Sequence, residues 1–207
     1  MLSRRRLLQS AAASGALGLS GCSLIPDVNQ PLDLYTLRPQ VAFDQPLPKV
    51  TWQLVVAEPV AERDINTTRI ALTRAPNSIE YFAKGNWTDT APALVQAKLI
   101  EAFEATGSIV AIGRDAAGLR PDFILQSDLR DFQAEFTGTD AAPGAPSVHV
   151  RLMAKLVRMP DRRIVRSVGA EQSVVASSVA VPTIVVAFEQ ALGAVLKTVV
   201  QGTLLQS

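Results

Sequence analysis

Val148-His149-Val150-Arg151-Leu152-Met153-Ala154-Lys155-Leu156 alternates apolar with mostly polar residues over nine positions. A period of two places Val148, Val150, Leu152, Ala154 and Leu156 on one face of a strand, with His149, Arg151, Met153 and Lys155 on the other. One face is suited to a core and the other to water, the pattern of an antiparallel sheet covered on one side. Downstream, Pro160-Asp161 carries turn chemistry and Ile164 to Val175 returns as a second strand. Upstream, Phe123, Leu125, Ser127 and Leu129 share one face of a longer strand, and Phe132, Ala134 and Phe136 continue it with the opposite parity. That slip predicts a bulge or bend near Arg130–Asp131. The segment Gly138–Ser147 between the two long strands reads as a loop.

Further out, the pattern calls for more strands and two helices. Leu34-Tyr35-Thr36-Leu37 is strand-like and ends at Pro39, and a proline-broken loop runs from Gln40 to Lys49. Trp52, Leu54 and Val56 mark a short strand, and Arg69–Arg74 with Ile79–Ala83 flank a turn at Ala75-Pro76-Asn77-Ser78. Ala91 to Thr106 reads as a helix with Asp89 or Thr90 as cap, Pro92 in the first turn and Gly107 as terminator. Its Val95, Leu99, Ala102 and Phe103 form an apolar stripe, while Gln96, Lys98 and Glu101 face away. Ile109–Ile112 is a short strand. A last helix starts near Pro182, with Val185, Phe188, Leu192, Val195 and Val199 on one side; Glu189 and Lys197 argue against a membrane span. The class is α+β: an antiparallel sheet with two main helices packed on one face.

The N-terminus is an address. Arg4, Arg5 and Arg6 precede a modestly apolar stretch, Leu7 to Leu19, and Leu19-Ser20-Gly21-Cys22 matches a bacterial lipobox. Cys22 would receive a diacylglycerol before cleavage, and its new amino terminus is usually acylated as well. Each buried CH2 contributes about 0.8 kcal/mol, so two or three chains anchor where one is marginal. Arg4 and Arg5 also fit a twin-arginine export signal, with plain Sec export the alternative. Domain organisation follows: residues 1–21 signal peptide, 22–31 lipidated Cys and tether, 32–207 a single domain. Nine residues, 23–31, reach at most ~30 Å, which keeps the domain near its membrane. Ser23 after Cys22 favours the periplasmic face of the outer membrane over the inner membrane.

Composition narrows the chemistry. Among 207 residues there are 20 Lys+Arg against 19 Asp+Glu, with one His and one Cys. Without a basic cluster beyond the first six residues, phosphate neutralisation has no footing and no nucleic-acid partner is expected. A lone histidine rules out two-imidazole sites, and a lone cysteine rules out a disulfide framework or Cys-rich metal site. No GxxxxGK[ST], GxGxxG or GxSxG motif occurs. His149 lies on a polar strand face. Glu58, Glu62 and Asp64 read as a solvated loop, and the arginines of Arg158–Arg166 as a hairpin tip. No catalytic residue, metal site or cofactor is expected.

Four stretches in order resemble the ABC-type transport auxiliary lipoprotein family. They are the lipobox followed by Asp33-Leu34-Tyr35-Thr36-Leu37, and Tyr81 through Trp87-Thr88-Asp89 before a helix with Pro92 and Leu94. Asp122-Phe123-Ile124-Leu125 with Leu129 and Phe132 is similar to the family's ADY-x-L…L-x-x-F strand. Val150-Arg151-Leu152 with Arg163-Ile164 resembles its last hairpin, before an F-x-x-A-L helix at Phe188–Leu192. The resemblance implies a non-enzymatic subunit partnered by an MCE-domain protein and an ABC permease and ATPase that move lipid across the Gram-negative envelope. A structural lipoprotein of outer-membrane or cell-wall assembly, without a transport role, is the alternative. A homo-oligomer is compatible with either. Tyr81 and Trp87, with Phe82–Asn86 read as a loop between them, are the candidate partner-contacting residues, since loop aromatics are favoured anchors. The competing expectation is that Trp87 caps the helix–sheet core.

Overall fold

A computed structural model describes residues 32–205 apart from 76, 115–119, 137, 140 and 141. Its strands are β1 (Asp33–Tyr35), β2 (Val50–Val56), β3 (Val60–Ala61), β4 (Arg69–Thr73), β5 (Glu80–Trp87), β6 (Ile109–Arg114), β7 (Phe123–Glu135), β8 (Gly138–Thr139), β9 (Ala142–Pro143), β10 (Ser147–Arg158) and β11 (Arg163–Val175). Two helices complete it, α1 (Ala91–Glu104) and α2 (Val181–Leu204).

Among the described residues nine strands form one mixed sheet, with the path β1-β5-β4-β7-β10-β11. The longest ladders, β7 with β10 and β10 with β11, are antiparallel, as is the β4–β5 hairpin. Shorter strands add in parallel: β1 on β5, β2 on β6, and β2, β3 and β4 on β7. The α+β class holds, with a mixed sheet whose longest ladders and β4–β5 hairpin are antiparallel. On β10 the alternation is realised residue by residue: Val148, Val150 and Leu152 are fully buried, whereas His149, Arg151 and Met153 are half-buried. The parity slip on β7 is a bulge at Arg130: Arg151 pairs with Asp131 and Leu152 with Leu129, leaving Arg130 unopposed. The bulge lets Leu125, Leu129 and Phe132 all face the core.

Both helices pack into that single core. Thr90 is the N-cap of α1 but makes no side-chain cap bond; its N–H instead donates to Asp89 Oδ1 at 2.7 Å. The helix stops at Glu104, and Gly107 then takes φ +60°, the left-handed turn that redirects the chain into β6. Gln96 does not face away. It is buried, and its Nε2 donates to the Val56 carbonyl at 2.9 Å, satisfying the end of β2. By length and composition α2 would suffice to cross a bilayer, yet 61% of its apolar window is buried inside the fold.

The proline-broken segment after β1 has a structural task. It runs along α2 as a strap: Arg38 N–H donates to Glu189 Oε1 at 2.8 Å, and Lys197 reaches Asp44 Oδ2 at 2.8 Å. Between these contacts, a Cβ on Gly193 would lie 2.7 Å from the Gln40 carbonyl oxygen, so the approach requires glycine. Leu37 is fully buried, and Ser108 Oγ donates to the Leu47 carbonyl at 3.0 Å where the strap ends. Sheet, α2 and strap thus stack in three layers.

Candidate functional site

Trp87 is a core residue. It ends β5, is 2% exposed, and its ring meets Phe188 at 5.1 Å and Phe132 at 5.8 Å between centroids. The expected loop Phe82–Asn86 is strand instead, held by β1 on one side and β4 on the other. Trp87 is therefore corrected from partner anchor to core: a ring with no free face has nothing to offer a partner. Tyr81 stays half-buried at the surface. Its hydroxyl donates to the Asp64 carbonyl at 3.2 Å, and the Arg69 guanidinium lies 3.8 Å from its ring centroid, a cation–π contact. The two candidates point to opposite sides of the sheet and form no common site.

The polar face of the long strands carries a band of basic and acidic side chains in register. His149 sits between Glu171, 2.8 Å from Nε2, and Glu135, 3.5 Å from Nδ1. Arg151 pairs with Asp131 across β7, and Lys155 with Asp128 at 3.4 Å. Arg151 and Lys155 thus each meet an acid on β7, and the band is a cross-strand ladder. At the hairpin tip Arg158 Nη2 lies 2.7 Å from Asp161 Oδ2, and that bond holds the Asp161 carboxyl below its ordinary value. On β1, burial first and the Asp33 carboxylate second push the Tyr35 phenol up.

Among the described residues no group of three or more His, Cys, Asp or Glu could hold a metal. Glu58 borders a groove of about 240 Å³ with Val60, Gln126, Asp128 and Lys155, apart from Glu62 and Asp64. A second groove, about 430 Å³, lies along β2 and β6 and is lined mainly by Leu54, Val55, Ile109, Ile112 and Pro121. Ser127 also lines the smaller groove, and its buried Oγ makes no hydrogen bond to Lys155, Glu58 or Asp128. Cys22, the lipobox Leu19-Ser20-Gly21, and Arg4 and Arg5 lie outside the described residues.

The model of the ABC-type transport auxiliary lipoprotein component family matches residues 35–200. Protein XCC0632 from Xanthomonas campestris, a DUF330 protein of known crystal structure, is 31% identical, with a TM-score of 0.76 over 83% of this chain and 94% of that one. A second solved structure, of an uncharacterized protein, shares the fold at 10% identity, with a TM-score of 0.64 over 83% of this chain and 98% of that one. Among curated proteins no sequence matches. The match begins at Tyr35 in β1 and ends at Val200 in α2, so it spans the strap, the sheet and both helices. The chain belongs to the family of ABC-type transport auxiliary lipoprotein components.

Proposed function

We propose that this chain is the lipid-anchored auxiliary subunit of an ABC/MCE-type lipid transport system, held at the periplasmic face of the outer membrane. The observation that carries the reading is one of order along the chain. A lipobox, Leu19-Ser20-Gly21-Cys22, stands a short tether ahead of a domain that the family model matches from residue 35 to 200. Acylated Cys22 supplies the hold on the membrane, and the tether keeps the domain within ~30 Å of it.

The domain then acts through contacts. The sequence carries no GxxxxGK[ST] motif, and energy comes from the ATPase of the assembly. Large side chains fill the space between sheet and α2, with Trp87, Phe132 and Phe188 at its centre, so lipid is handled at the surface or by the partner. The sheet path ends on β11, a 13-residue edge strand whose residues are mostly exposed. Its position at the end of the sheet suits strand-to-strand docking by a partner.

Co-purification tests this reading. The full-length chain, tagged at its C-terminus and extracted in mild detergent, is expected to bring with it an MCE-domain protein together with a permease and an ATPase. Recovery with cell-wall or outer-membrane assembly proteins, and without the transporter, would favour the structural alternative.

A further inference from the structure

The corner of the sheet where the chain enters the fold exposes two leucines. Leu34 on β1 is 66% exposed and Leu32, just before it, 54%. Residues two apart share a face of an extended chain, so both present to the same side. Register places Leu34 opposite Asn86 of β5, and Asn86 opposite Arg69 of β4, in one row across the sheet. Lys84, in the irregular stretch of β5 between Tyr81 and Asn86, is exposed, as is Arg69. Asp33 alternates to the other side, where its carboxylate helps push up the Tyr35 phenol. The corner is thus two apolar side chains beside two cations.

We infer that this corner, Leu32 and Leu34 with Lys84 and Arg69, rests on the surface of the bilayer that holds the lipid anchor. The inference rests on the anchoring reading above and adds an orientation to it. Three observations favour a bilayer as occupant. The exposed leucines begin ten residues after Cys22, within reach of the membrane that would hold it. Leucine side chains enter the headgroup–acyl boundary, where lipid tails accept them. Lysine and arginine beside them meet phosphate, as basic groups do next to an anchor. A docked corner would leave β11, five strand spacings or roughly 24 Å away, turned toward the periplasm.

The test uses the full-length chain with Cys22 acylated, so that an introduced cysteine is the sole free thiol. Leu34→Cys and, as control, Ile164→Cys on β11, itself 54% exposed, are each labelled with an environment-sensitive fluorophore. The proteins are reconstituted into phosphatidylethanolamine–phosphatidylglycerol vesicles containing a headgroup-proximal spin-labelled lipid. Leu34 is expected to be quenched about threefold more than Ile164, because an interfacial side chain sits ~5–10 Å into the boundary. Equal quenching at the two positions overturns the inference while leaving the anchor intact. A probe at Leu34 that is dry but not quenched by lipid places a second copy of the chain there and also overturns it. Protein that fails to float with vesicles removes the anchor itself, and with it this corner's reason to meet a bilayer.

Discussion

Trp87 meets Phe188 edge to face, with the two ring planes at 88° and their centroids 5.1 Å apart. Phe132 closes the set, 4.8 Å from Phe188. The three rings come from the end of β5, the region after the bulge on β7, and the first half of α2. One aromatic cluster therefore ties the end of β5 to the central strand and to the helix beneath the strap.

Replacing the indole empties the middle of that cluster. Trp87→Ala is expected to cost about 3–5 kcal/mol of stability through lost burial and the cavity left behind. A urea titration of the purified domain measures it. Capture of the transporter, per folded molecule, should be unchanged, because the ring has no exposed face.

The strap predicts an opposite balance at Gly193. Alanine in a helix interior normally gains about 1 kcal/mol over glycine. Here its Cβ would sit 2.7 Å from the backbone oxygen of Gln40, and backbone yields little. Overpacking costs of about 1–3 kcal/mol outweigh the propensity gain. Gly193→Ala should lower the urea midpoint and speed chymotryptic cleavage after Phe43 as the strap lifts.

Much of this fold is legible in local pattern. The alternation Val148–Leu156 yields β10, and the change of parity between Leu129 and Phe132 yields the bulge at Arg130. Both signals are local, because each strand face must meet either core or water. What stays hidden is pairing between segments far apart in sequence. Nothing in Lys84-Gly85-Asn86 indicates a strand; β1 and β4, one on each side, make it so. The same pairing buries Trp87, which is why a loop anchor was the wrong expectation. Gln96 looks solvent-facing until the Val56 carbonyl is seen to need a donor. The strap is equally silent, since Gln40–Lys49 carries no periodicity of its own. Of the candidate site, the lipobox is readable in sequence, while the packing of Arg69 on Tyr81 is not. The corner at Leu32 and Leu34 emerges only when register sets Leu34, Asn86 and Arg69 in one row.

At the hairpin tip, the hydrogen bond from Arg158 lowers the Asp161 pKa. A carboxyl lowered in the folded protein favours folding above its ordinary value, and that contribution fades as pH falls through the lowered one. Both side chains are solvent-exposed, so screening leaves no measurable weight in stability. The titration itself is the readout. Arg158→Ala should return the Asp161 pKa upward toward the ordinary aspartate range in a carboxyl-detected NMR titration, with the melting temperature unmoved.

Anchoring is tested at one atom. Cys22→Ser removes the thiol that would accept the diacylglycerol. The variant is expected to remain as uncleaved precursor or appear in the aqueous phase of a detergent partition. Unchanged partition into the detergent phase would contradict the lipobox reading.

The central claim is that this chain serves an ABC-type lipid transporter as a non-catalytic subunit. Lipid transfer by the reconstituted permease, ATPase and MCE-domain protein, measured with and without the full-length acylated chain, tests it most directly. The account predicts that adding the chain raises ATP-dependent transfer to acceptor membranes, while the chain alone hydrolyses no ATP. Transfer that is the same with and without a saturating amount of the chain would contradict it.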